Sequence, residues 1–173
     1  AAFSFKPIEN KQQNSLNGAW MRQEDGNESV MLFMDGYATH TVYSKDKKEF
    51  KHTRGGTFTT NGDNISVVFE FHTENKDLIG KTVNLNFKVE GDKLTLTNQG
   101  TKATWKRIDK GQAPLAGTWR ITHRMQDNQL SPIHQTGPRK TLKMLTGNRF
   151  QWFAINPETK EFFGTGGGTY TFE

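Results

Sequence analysis

The feature of this sequence that most limits its possible folds is an internal repeat. Residues 16–20 (LNGAW) are matched by residues 115–119 (LAGTW), and an apolar stretch follows each of them. Further along, residues 53–59 (TRGGTFT) correspond to residues 165–171 (TGGGTYT). Matches that recur in one order are typical of a repeated structural unit, so the chain is predicted to hold two tandem copies.

Short β-strands are predicted to fill the first copy. Apolar residues alternate with polar ones in residues 82–90, which is the period of a strand with one buried and one exposed face. Turn signals at residues 61–63 (NGD) and 91–92 (GD) separate the predicted strands. We therefore predict about eight strands and almost no helix. The glycine pair at residues 55–56 is interpreted as a bend that helps a sheet close, because a phosphate-binding loop would need a following helix.

The predicted organisation has four parts. They are an N-terminal segment over residues 1–15, a complete barrel over 16–108, a linker over 109–114, and a second, incomplete unit over 115–173. Half a barrel leaves an open sheet edge, which favours pairing with another chain. Two explanations stay open: truncation, or completion against the first barrel or a second molecule. The predicted assembly is a monomer or a strand-paired homodimer.

Composition excludes several classes of protein. There is no cysteine, which excludes thiol catalysis and thiolate metal sites. The net charge of +5 is spread along the chain without a basic cluster, so no nucleic-acid partner is predicted. The chain begins with Ala1 instead of Met, which indicates that a signal peptide or a tag was removed. We favour export, and membrane anchoring through a removed N-terminus remains an alternative.

The Gly18-x-Trp20 start and the ending over residues 105–107 (WKR) resemble the closure signature of the calycin superfamily. Together with the glycine motif, they are similar to lipocalin-like domains of secreted or membrane-anchored bacterial proteins. The resemblance implies an all-β fold, an antiparallel lipocalin-like β-barrel followed by a second partial copy of the same unit. It also implies that Arg107 packs on Trp20 to close the barrel, with Trp119 in the equivalent position of the second unit. The expected location is secreted, periplasmic or outer-membrane-associated.

Aromatic side chains are the candidate ligand-binding residues. Alternation places Ile65, Val67, Phe69 and Phe71 on one strand face. The predicted ligand-binding set comprises Phe33, Phe58, Phe69, Phe71, Phe150 and Trp152. The alternative interpretation is that these aromatic residues form the core, because apolar strand faces are usually core.

Histidines do not predict a metal site. His40, His52 and His72 lie on predicted strands, but antiparallel pairing is expected to place His52 opposite Thr41, so that His40 and His52 point to opposite faces. His123 and His134 lie in or near a polar segment that is expected to face solvent. No metal and no cofactor are predicted.

Catalytic residues are not predicted either. Glu70, His72 and Glu74 alternate along one strand and are interpreted as its exposed face. The sequence therefore favours a non-enzymatic exported protein that binds a small, largely apolar ligand in a β-barrel. The alternatives are a protein–protein interaction or structural module of the cell envelope with a plugged barrel, and an enzyme with a polar cleft.

Overall fold

The computed structural model describes residues 15–133 and 137–173, and strands make up most of them. The predicted all-β class is confirmed. Of the predicted N-terminal segment, only Ser15 lies within the described residues. A short 3₁₀ turn, Lys76–Leu78, joins two of the strands. Among the described residues, no helix has the length and apolar character needed to cross a bilayer.

Eight antiparallel strands form a closed barrel. They are β1 (Gly18–Glu24), β2 (Asn27–Met34), β3 (Tyr37–Ser44), β4 (Glu49–Asn61), β5 (Asn64–His72), β6 (Thr82–Glu90), β7 (Lys93–Asn98) and β8 (Thr101–Asp109). Each strand pairs with the next, and β8 returns to β1, where Arg107 lies opposite Trp20. Closure of this kind leaves no free sheet edge. The predicted antiparallel lipocalin-like barrel is confirmed, and its last strand extends to Asp109.

Local turn chemistry sets the order of the strands. Asp35 and Gly36 have φ angles of 51° and 72°, and they join Met34 to its partner Tyr37. A two-residue hairpin turn of the primed type requires positive φ at both positions. The turn is followed directly by pairing between β2 and β3, so the register of these strands is fixed locally.

An apolar cluster of buried side chains lies inside the barrel, toward one end. Trp20 and Leu94 are fully buried there, and the rings of Phe33 and Phe58 meet edge to face with centroids 5.3 Å apart. Together with Ile65, these residues belong to one apolar cluster inside the barrel. Burial of such large side chains is the main source of the barrel's stability.

A β-bulge between β4 and β5 changes which side chains point inward. Gly56 pairs with Phe69, whereas Gly55 pairs with Phe71, so one residue of β5, Glu70, is left over at the step. The bulge reverses the alternation, and Phe71 packs in the apolar cluster outside the lumen, whereas Phe69 packs against the cluster inside it. The prediction that Phe71 shares a face with Ile65, Val67 and Phe69 is therefore wrong.

A second, open sheet follows the barrel. It contains β9 (Gly117–Arg120), β12 (Lys140–Leu145), β13 (Arg149–Asn156) and β14 (Glu161–Thr169), in the order β14-β13-β12-β9. A separate hairpin, β10 (His123–Gln126) with β11 (Gln129–Pro132), lies between β9 and β12 in the chain. We refer to the four-stranded sheet as the C-terminal sheet.

The C-terminal sheet has the same pairing register as strands β1–β4. Gly18 pairs with Phe33 in the barrel, and Gly117 pairs with Leu145 in the C-terminal sheet. Both sheets carry a β-bulge at the equivalent step, in the pairing of β3 with β4 and in that of β13 with β14. The motif matches in the sequence thus coincide with equivalent backbone positions. That the sheet is a second, incomplete copy of the barrel unit stays a prediction.

One face of the C-terminal sheet packs against the outer wall of the barrel. A shared apolar cluster joins the two regions, and in it Phe153 lies 4.7 Å from Phe71 and 5.5 Å from Tyr37, measured between ring centroids. The sheet contributes Leu142, Met144, Phe153 and Ile155 to this cluster. The residues that face away from the barrel correspond in register to those that point into the lumen.

Polar contacts also join the barrel to the C-terminal sheet. Asp109 accepts hydrogen bonds from the Thr146 hydroxyl at 2.7 Å and from the backbone N–H of Gly147 at 2.8 Å. The Lys140 ammonium lies 2.7 Å from a carboxylate oxygen of Glu70, and both side chains are largely shielded from solvent. Asp109 lies at the start of the predicted linker, so that segment also takes part in anchoring the sheet.

Candidate ligand site in the barrel lumen

A cavity of about 660 Å³ lies in the barrel lumen. Its lining includes Leu78 of the 3₁₀ turn and Asn98 and Gln99 at the β7–β8 turn, so it reaches that end of the barrel. We call this end the mouth. Side chains that line the cavity farther in are mostly apolar, among them Phe33 and Val67. Small-molecule sites in proteins commonly have volumes of about 300–1,000 Å³.

The opposite end of the barrel is closed. The Trp20 indole N–H donates to the carbonyl of Leu16 at 2.8 Å, and the Arg107 guanidinium carbon lies 4.0 Å from the Trp20 ring centroid. Arg107 also donates to the carbonyls of Asn17 and Ser15 at 3.1 and 3.0 Å. This is the arrangement that the resemblance implies for Trp20 and Arg107. A cation–π contact of this kind contributes about 0.5–2 kcal/mol.

Trp119 occupies the equivalent position in the C-terminal sheet but closes no lumen there. Its indole N–H donates to the carbonyl of Leu115 at 3.0 Å, the counterpart of the Trp20 bond. However, Trp119 is 53% exposed, and no described cationic side chain lies over its ring. The local motif is therefore present without the surrounding barrel.

Polar side chains gather at the mouth of the lumen. Arg54 Nε donates to Nδ1 of His40 at 3.2 Å, and Nε2 of His40 lies 2.8 Å from the Ser29 hydroxyl. The Trp105 ring meets the His40 ring edge to face at 5.3 Å, and the Arg22 guanidinium carbon lies 5.1 Å from the Trp105 ring centroid. Except for Ser29, these residues all line the cavity.

The hydrogen bonds of His40 define its protonation. Because the Arg54 N–H can only donate, Nδ1 of His40 accepts, and the proton of the neutral ring lies on Nε2, which donates to Ser29. Burial, and then the positive charge of Arg54, hold the pKa of His40 well below its usual value. His40 is therefore neutral at pH 7 and serves as an acceptor for Arg54.

The expected placement of His52 is wrong. The pairing of β3 with β4 shifts between Val42 and Tyr43, so His52 lies opposite Val42 and not opposite Thr41. The rings of His40 and His52 lie on the same side, with centroids 5.8 Å apart. Strict alternation cannot detect such a bulge.

The third histidine of the first unit also lies near the mouth. His72 is 4% exposed, and its ring meets that of Phe69 at 5.3 Å. Burial, followed by the charge of Arg54, lowers the pKa of His72. In the described part of the chain, no three His, Cys, Asp or Glu side chains are placed to hold a metal ion. His123 is exposed on β10, and His134 lies outside the described residues.

Glu70, His72 and Glu74 do not form the predicted ladder. Because of the bulge in β5, Glu70 lies on the outer wall, where it accepts a hydrogen bond from the Tyr37 hydroxyl at 2.6 Å. Glu74 instead lies 3.3 Å from Nδ1 of His52, measured from its carboxylate oxygen. The interpretation of this segment as a uniform exposed face is therefore wrong, since His72 is buried.

The structure separates the six predicted ligand-binding residues into three groups: inside the lumen, outside it on the barrel wall, and in the C-terminal sheet. Phe33 and Phe69 line the lumen cavity, and Phe58 packs beside Phe33 in the core. Phe71 lies outside the lumen, at the contact with the C-terminal sheet. The six residues are therefore not parts of one site.

Two of the predicted residues belong to the C-terminal sheet. Phe150 lines a crevice of about 650 Å³ between this sheet and the β3–β4 hairpin, where Tyr43 and Phe50 form part of the other wall. Trp152 is 38% exposed and lines neither cavity. Within the described residues, Phe150 and Trp152 therefore do not lie in an enclosed ligand site.

The two arginines of the mouth were not among the candidate residues predicted from the sequence. Arg22 follows Trp20 by two positions on β1, and Arg54 precedes Phe58 by four positions on β4. Both arginines therefore carry the inward period of their strands. Alternation along β1 and β4 therefore indicates that both side chains point inward. A charged residue in an inward position is nevertheless easily taken for an exposed one.

No protein-family model matches the chain, and no curated protein matches it significantly. A solved structure described as a lipocalin-like protein from Bacteroides uniformis ATCC 8492 is similar, with 18% sequence identity and a TM-score of 0.42. The match covers 54% of this chain and 99% of that one. The assignment of a lipocalin-like fold rests on the closed eight-stranded barrel itself.

Proposed function

We propose that the barrel binds a small, largely apolar molecule in its lumen. The observation that carries this proposal is the cavity of about 660 Å³, which reaches one end of the barrel while Trp20 and Arg107 close the other. An eight-stranded barrel is wide enough either to hold one small ligand or to be filled by side chains. Here the side chains leave room for a ligand.

The apolar wall supports this proposal. Apolar side chains of the lumen, such as Met31, Leu85 and Leu96, offer a ligand few hydrogen-bond partners. Binding of apolar surface there is favoured because it removes that surface from water. The proposal assigns no chemical step to the barrel. Action outside the cytoplasm is part of the same proposal and rests on the resemblance to secreted and membrane-anchored domains.

A lumen-filling variant tests the proposal. Ala103 lines the cavity, so Ala103→Phe places a ring in it. The matched control is Ala154→Phe, at a position on β13 that lines neither cavity. The probe is the neutral dye N-phenyl-1-naphthylamine, whose fluorescence rises in apolar surroundings.

We expect the unaltered protein to bind the dye, Ala103→Phe to weaken binding by about tenfold or more, and Ala154→Phe to leave it unchanged. Circular dichroism of each variant establishes that the barrel is folded. An unaltered protein that does not bind the dye contradicts the proposal, and so does a folded Ala103→Phe protein that binds it normally.

The second candidate function is assembly with a protein partner, for which we propose a second copy of this chain. Of the ten exposed large hydrophobic residues described, eight lie within residues 115–173, including Trp119 and Trp152. No described strand pairs with the outer edge of β9 or β14. A native mass spectrum tests this candidate. A dimer at micromolar concentration supports strand pairing, and a monomer at all concentrations contradicts it.

A further inference from the structure

We propose that the crevice between the C-terminal sheet and the β3–β4 hairpin binds a small, planar aromatic anion. This crevice of about 650 Å³ is separate from the lumen, because no described residue lines both cavities. The inference therefore goes beyond the proposed lumen function. It depends on the shape of the crevice, on its aromatic walls, and on the charges around it.

The sheet side of the crevice is open at a position where the barrel carries an aromatic ring. By the motif match, Gly167 of β14 corresponds to Gly55 of β4. A Cβ at Gly55 would lie 2.8 Å from the ring of Phe71, which β5 places over that glycine. The atoms nearest to a Cβ at Gly167 belong to Phe150 and Gln151, and none of them is a ring atom. The position above Gly167 is therefore open to a ring that the described chain does not supply.

The space above Gly167 lies between two packed layers. Gln151, which pairs with Gly167, points toward the barrel and donates to the Thr53 hydroxyl there at 3.1 Å. A side chain at Gly167 would point in the same direction and enter the crevice. Packed sheets lie about 10 Å apart, and side chains from both normally fill the gap. Because one of the two layers is missing at this glycine, the space that remains is thin and suits a flat molecule.

Aromatic side chains line the crevice on both sides. Tyr43 and Phe50 lie on the hairpin side, and Phe162 of β14 lies on the sheet side. Phe50 is 48% exposed, so a molecule in the crevice would remove part of its ring from water. Aromatic rings attract one another in offset or edge-to-face pairs, beyond the effect of the area that they bury. The walls therefore favour an aromatic ligand over an aliphatic one.

The lining of the crevice is cationic. Lys45, Lys48 and Arg149 belong to it, and Glu49 is the only carboxylate among the described residues that do so. Glu49 already binds Lys51 at 2.7 Å and is half exposed, so its charge is largely compensated. None of the three cations forms a salt bridge with a described residue. A ligand with an acidic group complements this excess of positive charge.

Arg149 is the cation best placed to bind the acidic group. Its Nε is buried and has no acceptor among the described residues. The Tyr43 hydroxyl donates to Glu28 at 2.6 Å, and Arg149 acts on the same hydroxyl without forming a salt bridge with Glu28. Buried donors normally have partners, and a guanidinium binds acidic groups through pairs of N–H groups. The acidic group of the ligand therefore lies beside Arg149, and the ring lies over Gly167.

Two dyes that share one ring system test the preference for an anion. N-phenyl-1-naphthylamine is neutral, and 8-anilinonaphthalene-1-sulfonate carries a sulfonate on the same rings. Both are titrated at pH 7.5 into the Ala103→Phe protein, in which a ring occupies the lumen. We expect the sulfonate to bind at least about tenfold more tightly than the neutral dye, as a charge-assisted hydrogen bond predicts.

Backbone amide shifts in NMR spectra locate the sulfonate on the unaltered protein. We expect the largest shifts in residues 166–168 of β14 and in residues 48–50 of the hairpin, which line the crevice. Ala103 and Trp105 of the lumen wall should shift little. Shifts centred on the lumen, or on Trp119 at the exposed face of the C-terminal sheet, would show that the dye binds elsewhere.

Arg149→Gln removes the charge while keeping a side chain that donates hydrogen bonds. We expect about a tenfold loss of affinity for the sulfonate and no more than a twofold change for the neutral dye. Arg124, which is exposed on β10 and lines no cavity, provides the matched control Arg124→Gln, which should change neither affinity. Arg149→Lys, which keeps the positive charge, should retain part of the preference for the sulfonate.

The inference is wrong if the sulfonate binds no more tightly than the neutral dye, if the amide shifts lie outside the crevice, or if Arg149→Gln weakens both dyes equally. Sulfonate binding that disappears as the protein dimerises would show that a second copy occupies the crevice, which also overturns the inference. The NMR experiment uses the unaltered protein, so it remains decisive even if a variant does not fold. Failure of the lumen proposal leaves this inference standing, because the two cavities share no described lining residue.

Discussion

The barrel wall β1–β4 and the C-terminal sheet share their pairing register. They differ in whether other strands cover the face that points into the lumen in the barrel, or its equivalent in the C-terminal sheet. Trp20 and Trp119 make the same indole hydrogen bond to a carbonyl four residues earlier, yet Trp20 is fully buried and Trp119 is 53% exposed. Four further strands, β5–β8, cover the first face, and none of the described strands covers the second. The motif therefore sets local geometry, and burial depends on the rest of the barrel.

The other face of each region, on the outside of the barrel and on the equivalent side of the C-terminal sheet, packs against the other region. Leu32 and Tyr37 on the outer wall of the barrel pack against Met144 and Phe153 of the C-terminal sheet. Two sheets of equivalent register thus meet by their equivalent faces. This contact leaves the lumen face of the barrel available for a ligand and the matching face of the C-terminal sheet available for a partner.

The largest effect that should distinguish the two regions is that of removing the tryptophans. Trp20→Ala removes a fully buried ring and its contact with Arg107, and we expect a loss of about 3–5 kcal/mol in the free energy of unfolding. Trp119→Ala should cost less than about 1 kcal/mol, because its ring is half exposed. Urea unfolding followed by circular dichroism measures both. Similar losses for the two variants would contradict the claim that only the first face is closed.

Short motifs allowed the barrel to be predicted because they report local geometry. The Gly-x-Trp start and the ending at Arg107 identified the closed end, and alternation in β6 identified strands. Bulges explain the errors: Phe71 and His52 each lie after a step where one extra residue reverses the alternation. Nothing in the local sequence marks these steps, because they depend on how each strand pairs with its neighbour.

The packing of the C-terminal sheet was not predictable for a different reason. On β13 both faces are apolar or aromatic, with Phe153 and Ile155 toward the barrel and Phe150 and Trp152 on the other side. A strand with two apolar faces has no period that tells which face is covered. The same ambiguity explains why Phe150 and Trp152 were included in the predicted ligand-binding set.

A smaller effect on the free energy of unfolding is expected from replacing two glycines at equivalent positions of the barrel and the C-terminal sheet. Gly56 lies opposite Ala38 on β3, and Gly168 lies opposite Phe150 on β13. An alanine Cβ at Gly56 would lie 1.8 Å from the carbonyl oxygen of Val68, whereas one at Gly168 would first meet the Phe150 side chain at 3.6 Å. The bend at Gly56 therefore brings β4 and β5 too close for any side chain.

We expect Gly56→Ala to lower the free energy of unfolding by about 2–3 kcal/mol, since the backbone must move. Gly168→Ala should change it by less than about 0.5 kcal/mol or stabilise the protein by up to about 1 kcal/mol, because alanine restricts the unfolded chain. The two variants are compared in urea under identical conditions. An equally large loss at Gly168 would show that β14 is as crowded as β4, contrary to the open sheet described above.

The smallest expected effect is the pH dependence of stability caused by Tyr37, where the two regions touch. Its hydroxyl donates to Glu70 at 2.6 Å, and Glu70 also binds Lys140 of the C-terminal sheet at 2.7 Å. Burial, and then the charge of Glu70, raise the pKa of Tyr37 far above its ordinary value. The phenol is therefore neutral in the folded protein under conditions where it ionises in the unfolded chain. Its contribution to stability is complete below about pH 10 and falls by about 1.4 kcal/mol per pH unit above it.

Tyr37→Phe should remove this dependence on pH. We expect the variant to be less stable than the unaltered protein at pH 9 by about 1–3 kcal/mol, because the hydrogen bond to Glu70 is lost. The difference between the two proteins should shrink by about 1 kcal/mol between pH 10 and pH 11, and titrations shared by both proteins cancel in it. Tyr170→Phe is the matched control: Tyr170 is less buried and donates to a backbone carbonyl, so a smaller change is expected. A difference that stays constant over this range would mean that Tyr37 ionises in the folded protein, and hence that water reaches the contact between the barrel and the C-terminal sheet.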